Sequence, residues 1–68
     1  MMVKDEMEAY MKFFWGKENY ISKALLDSRV DELIINNWIK CGYLCVGKLQ
    51  DDYEVYILSE EGKNKFDR

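Results

Sequence analysis

Residues 28–62, SRVDELIINNWIKCGYLCVGKLQDDYEVYILSEEG, decide the fold. Ser28, with Asp31 three residues on, predicts a helix start. A serine oxygen can accept a free backbone N–H there, and the early charges of Asp31 and Glu32 suit the positive end of the helix dipole. Val30, Ile34 and Trp38, with Ile35 and Ile39, recur at three- and four-residue spacing and make one apolar face. Gly42 is placed to end the helix, because glycine enters the left-handed conformation without a Cβ penalty. Tyr43–Leu49 and Tyr53–Leu58 then read as two strands rich in Tyr, Val, Ile and Leu, joined by the polar turn Gln50-Asp51-Asp52. Gly47 inside the first strand points to a bulge or a close approach. Ser59 reads as the cap of a short closing helical turn, with Glu60 and Glu61 at its positive end and Phe66 folding back onto the core.

Working outward, residues 3–15, VKDEMEAYMKFFW, predict a first helix. Val3, Met7, Tyr10, Met11 and Phe14 share a stripe, while Asp5, Glu6, Glu8 and Lys12 take the other side. Phe13 and Trp15 widen the apolar arc beyond what one small core needs, so this helix reads either as the domain's edge or as a surface for a second copy. Gly16–Asn19 is a polar connection. Tyr20-Ile21 reads as a short extended piece, and Ser22 as the cap of a brief second helix, Lys23 to Leu26. Asp27-Ser28 would form the turn before the next helix.

The whole chain sets bounds on these elements. Its 68 residues allow one small domain, and about half (49%) are hydrophobic, ten of them aromatic, with no proline. Ten Lys and Arg against thirteen Asp and Glu give a net charge of -3. That balance argues against a protein that coats nucleic acid by charge alone, although a local basic patch remains open. No stretch approaches the roughly 18 apolar residues of a membrane span, and no leader pattern precedes the first helix, so the expected location is cytoplasmic. Cys41 and Cys45 lack the C-x-x-C spacing, and with no histidine in the chain one or both read as small buried hydrophobes, not metal ligands. No cofactor or metal is expected.

Two motifs carry a family likeness. Ile34-Ile35-x-x-Trp38-x-x-x-Gly42-Tyr43-Leu44 resembles the end of the recognition helix in winged helix-turn-helix domains, where an apolar repeat closes on glycine and enters a hairpin. Tyr56-Ile57-Leu58-Ser59-Glu60-Glu61-Gly62 resembles the Tyr-x-Leu-Thr-x-x-Gly exit of the wing in MarR- and PadR-like regulators, with serine in place of threonine. The likeness spans nearly the whole chain from about residue 3. It implies an α+β fold: a single winged-helix domain over residues 1–68, with three helices, a two-stranded wing and a short C-terminal helical turn.

The resemblance implies a recognition helix in the major groove and a wing against the backbone or minor groove. The outward side of the Ser28 helix would then present Arg29, Glu32, Leu33, Asn36, Asn37 and Lys40. Arg29 and Lys40 would pair with phosphates, Asn36 and Asn37 would read adenine, and Lys48 would be the wing's cation. Several positions depart from the family pattern. Asp31 and Glu32 stand at the helix start, and the wing carries Asp51, Asp52 and Glu54.

An enzyme is not expected: the chain has no histidine, no phosphate loop and no nucleophile elbow, and its paired carboxylates are adjacent residues that point about 100° apart on a helix. Two readings remain, both tied to regulation. In the first, a dimeric transcription regulator associates with double-stranded DNA through Arg29, Asn36, Asn37, Lys40 and Lys48. In the second, an acidic winged helix, resembling those of phages and mobile elements, binds a protein partner or a second copy. Its surface would be Met7, Phe13, Phe14, Trp15, Leu33, Val55 and Ile57.

Overall fold

The computed structural model describes residues 2–67 as a small α+β unit. Its elements run α1 (Glu6–Phe13), β1 (Tyr20–Ser22), α2 (Lys23–Arg29), α3 (Glu32–Lys40), β2 (Leu44–Lys48), a 3-10 turn (Gln50–Asp52), β3 (Glu54–Leu58) and α4 (Glu60–Phe66). The strands form one antiparallel sheet in the order β1-β3-β2.

Local chemistry starts and stops each helix. Asp5 caps α1 by accepting the Glu8 N–H at 2.9 Å, so the helix is shorter than the 3–15 read from the sequence. Val3 therefore lies outside α1. Its N–H donates to the Arg29 carbonyl at 2.8 Å, its own carbonyl accepts from the Asp31 N–H at 2.9 Å, and the result is a parallel bridge to Val30. That bridge holds Val30 extended between α2 and α3. Consequently α2 runs on to Arg29, and Asp31, not Ser28, caps α3 by accepting from the Leu33 N–H at 2.9 Å. Ser28 sits inside α2, its hydroxyl donating back to the Leu25 carbonyl. At the other end of α3, Gly42 has φ +80. The Gly42 N–H donates to Ile39 and the Tyr43 N–H to Trp38, the paired closure that satisfies orphan carbonyls and turns the chain into β2.

The sheet differs from a two-stranded wing. β1 pairs with β3 (Tyr20 opposite Ile57, Ser22 opposite Val55), and β3 is central. Tyr56 and Leu58 face the helices. On the opposite face Val55 is 1% exposed, because Ile57 folds across the bare Cα of Gly47, its Cδ1 2.5 Å from where a Cβ would stand. Gly47 thus gives space, not a bulge, and the β2–β3 register runs through it unbroken. The β2–β3 turn places Asp51 (φ 62) and Asp52 (φ 58) in the left-handed region, which aspartate tolerates better than most residues.

Trp38, fully buried, is the hub of the core. Phe14 meets it edge-on at 6.2 Å and Phe66 lies 5.3 Å away, while Phe66 stacks on Tyr10 at 5.1 Å. The Trp38 indole N–H is satisfied by the Glu6 carboxylate at 3.0 Å. Ser59 ties α4 to the turn after α3. Its hydroxyl donates to the Gly42 carbonyl at 2.6 Å and accepts from the Gly62 N–H at 3.1 Å. The closing segment is therefore a seven-residue helix rather than a single turn.

Candidate nucleic-acid interface

Helix α3 has two unlike sides. Ile34, Ile35 and Trp38 point into the core, whereas Glu32, Leu33, Asn36, Asn37 and Lys40 are exposed on the outer side. Ile39, read from the sequence as core, is 41% exposed at the edge between the two. Leu33 is the most exposed large apolar residue among those described, at 73%. Asn37 is partly engaged, accepting a weak contact from the Cys41 thiol at 3.9 Å.

The cations divide into two groups. Arg29 is the last residue of α2, not part of α3, and stands exposed just before the α3 cap. Lys40 is the last residue of α3. Among the described residues neither makes an ion pair; the pairs are Lys12–Glu8, Lys23–Asp27 and Lys48–Asp52. A helix of nine residues is about 13 Å long, close to the roughly 12 Å width of a DNA major groove. Arg29 thus lies before α3 and Lys40 at its end, on either side of Asn36 and Asn37 in the sequence.

The β2–β3 hairpin has the opposite character. Lys48 lies 4.0 Å from Asp52, so its charge is partly answered within the turn. Beside it a hollow of about 450 Å³ between the start of α2 and the wing is lined by Asp27, Asp51, Asp52 and Glu54, with Lys23 as its cation. Asp27 also joins α2 to β3. It accepts from the Tyr56 hydroxyl at 2.6 Å and from the Lys23 ammonium at 3.0 Å. Burial pushes the Asp27 carboxyl up, but those two hydrogen bonds and the Lys23 charge outweigh it and hold the group below the usual carboxylate range. Burial and the same bond push the Tyr56 hydroxyl above its ordinary value. This link escaped the sequence reading, which placed Asp27 in a turn; the Lys23–Asp27 four-residue spacing was the available signal.

The chain matches no protein-family model, no curated protein and no solved structure.

The residues predicted for a partner surface are spread over several elements, and two of them are buried. Phe14 (3% exposed) and Val55 (1%) are buried, Phe14 packing on Trp38 and Val55 lying with Ile57 over Gly47. Phe13 is half-buried against the core. Met7, Trp15, Leu33 and Ile57 are exposed, but they sit on α1, the loop after it, α3 and the outer sheet face. Cys41 and Cys45 are free and exposed, contrary to the buried positions read for them, because Cys41 caps α3 on its open side and Cys45 lies on the outer face of an edge strand. Among the described residues no three or more His, Cys, Asp or Glu side chains gather as metal ligands, and no helix is long and apolar enough to cross a membrane.

Proposed function

We propose that this chain is a winged helix-turn-helix regulatory protein that associates with double-stranded DNA through the outer side of α3. One observation carries the reading: two exposed amide side chains able to pair with adenine edges, Asn36 and Asn37, lie on the outer side of α3, with the cations Arg29 before the helix and Lys40 at its end making no ion pair among the described residues. The element order and the β1-β3-β2 sheet support the winged-helix part of the proposal. In this mode the wing stays clear of the phosphates, since Asp51, Asp52 and Glu54 would repel them. Affinity then rests on few phosphate contacts and is modest.

The test is a duplex titration followed by fluorescence anisotropy between 20 and 200 mM salt. The proposal expects binding that weakens steadily with salt and disappears in an Arg29→Glu/Lys40→Glu variant that remains folded. A second reading draws on the exposure of Leu33, an apolar side chain placed where a DNA reader gains little from one. Under it α3 docks on a protein, and Leu33→Asp abolishes capture of that partner while the charge variant retains it.

A further inference from the structure

We infer that the open edge of β2 is the contact through which two copies of this chain pair, antiparallel, into one continuous sheet. The observation beneath this is a ladder with one side unused. The Leu49 N–H donates to the Tyr53 carbonyl at 2.8 Å and the Ser59 N–H to the Tyr43 carbonyl at 2.9 Å, which fixes the alternation along β2. Cys45 and Gly47 therefore turn their N–H and C=O groups towards β3, opposite Ile57 and Val55. Those of Leu44, Val46 and Lys48 point away from it. Because the strand order is β1-β3-β2, no strand lies on that side, and none of these outward groups meets another backbone group among the described residues. Along the same edge Val46 is 49% exposed and Cys45 is exposed beside it.

An open edge is ordinarily blunted by proline, a bulge or a charge within the strand. β2 lacks the first two, since the chain has no proline and the register runs unbroken through Gly47, and its one charge, Lys48, stands at its end. The opposite edge, β1, is three residues long and runs straight into α2. A second copy suits β2 on two counts. About a twofold axis at Val46, Leu44 stands opposite the partner's Lys48 and Val46 opposite the partner's Val46. Every outward N–H then meets an outward C=O, no like charges face each other, and two half-exposed β-branched side chains cover one another. Charge is complementary as well. The antiparallel sense carries the β2–β3 turn of each copy, net negative through Asp51 and Asp52 against Lys48, towards the α3–β2 corner of the other. There Lys40 ends α3 without an ion pair among the described residues.

The test is sedimentation equilibrium of the full chain without DNA, so its outcome is independent of the reading of α3. The parent is expected to run as monomer and dimer, with the dimer share rising with concentration. Val46→Pro removes an outward N–H and leaves the β2–β3 ladder whole, and Val46→Lys sets two ammonium groups opposite each other at the axis. Both are expected to run as monomers, the lysine variant with the parent's circular dichroism. The register has its own probe in a Cys41→Ser/Cys45→Ser background. There Val46→Cys puts two thiols on a hydrogen-bonded pair with Cα atoms about 5.5 Å apart, within disulfide range, so mild oxidation should give a covalent dimer. Leu25→Cys, exposed on α2, should not. A parent that stays monomeric at millimolar concentration, a dimer that persists in folded Val46→Lys, or cross-linking no faster at residue 46 than at residue 25 overturns the pairing.

Discussion

At Gly62 an added methyl group would stand 2.6 Å from the Tyr43 carbonyl oxygen and 2.9 Å from a Leu58 methyl. The obstructing oxygen is backbone, held by the Ser59 N–H at 2.9 Å, and cannot step aside. Gly62→Ala is expected to cost about 1–3 kcal/mol in denaturant unfolding, despite the roughly 1 kcal/mol that alanine returns to a helix. At Gly47 the obstacle is only the end of the Ile57 side chain, which can rotate, so Gly47→Ala should cost clearly less. Equal losses at both sites would refute this distinction. The Gly62 position was visible in the sequence as the end of the Tyr56–Gly62 motif, but its reason was not, because the carbonyl it must clear belongs to Tyr43, nineteen residues earlier. Gly47 in a strand suggests a bulge or a close backbone approach, and the structure has neither: a side chain, Ile57, fills the space.

For the helices, the starts and stops written in adjacent residues were legible, and the one set by a distant contact was not. Gly42, Ser22 and Ser59 cap or close their helices where local chemistry placed them. The α3 start moved from Ser28 to Asp31 because Val3 pulls Val30 into an extended bridge, a partner 27 residues away that no local pattern reports. Two substitutions separate the alternatives. Asp31→Ala removes the cap and is expected to cost about 1 kcal/mol, while Ser28→Ala removes a hydroxyl bonded back into its own helix and should stay within about 0.5 kcal/mol. Thermal or denaturant melts of both variants decide it; a larger loss at Ser28 would restore the other boundary. The third strand was half legible. Tyr20-Ile21 reads as extended, yet its pairing with β3 depends on residues far along the chain and leaves no local signal. The outer side of α3 followed directly from the helical period, so Asn36, Asn37 and Lys40 lie where expected. Arg29 stays exposed beside them only because α2 ends there.

Across the whole molecule, stability should depend on pH at both extremes, through the bond that ties β3 to α2. The Asp27 carboxyl is held below its ordinary value in the folded chain, so its stabilisation is present above about pH 3.9 and is lost as pH falls through the lowered value. Tyr56 is raised by burial and by Asp27, and Tyr10 by burial and the Asp67 charge. Their stabilisation is therefore complete below about pH 10 and is lost as pH rises through the raised values. Tyr56→Phe should lower stability at neutral pH and flatten part of the alkaline fall. A variant whose alkaline melt matches the parent's would show that the hydroxyl is not a linked group.

Charge is unevenly placed, with Asp51, Asp52 and Glu54 gathered at the β2–β3 turn and Arg29 and Lys40, near the two ends of α3, making no ion pair among the described residues. The most direct measurement of the central claim is the set of backbone amide chemical shifts on adding a short duplex at low salt. The account predicts that shifts concentrate on residues 29–40 and leave the wing at 50–54 and helix α4 nearly unmoved. Shifts centred on the wing, or none at duplex concentrations well above the protein's, would contradict it.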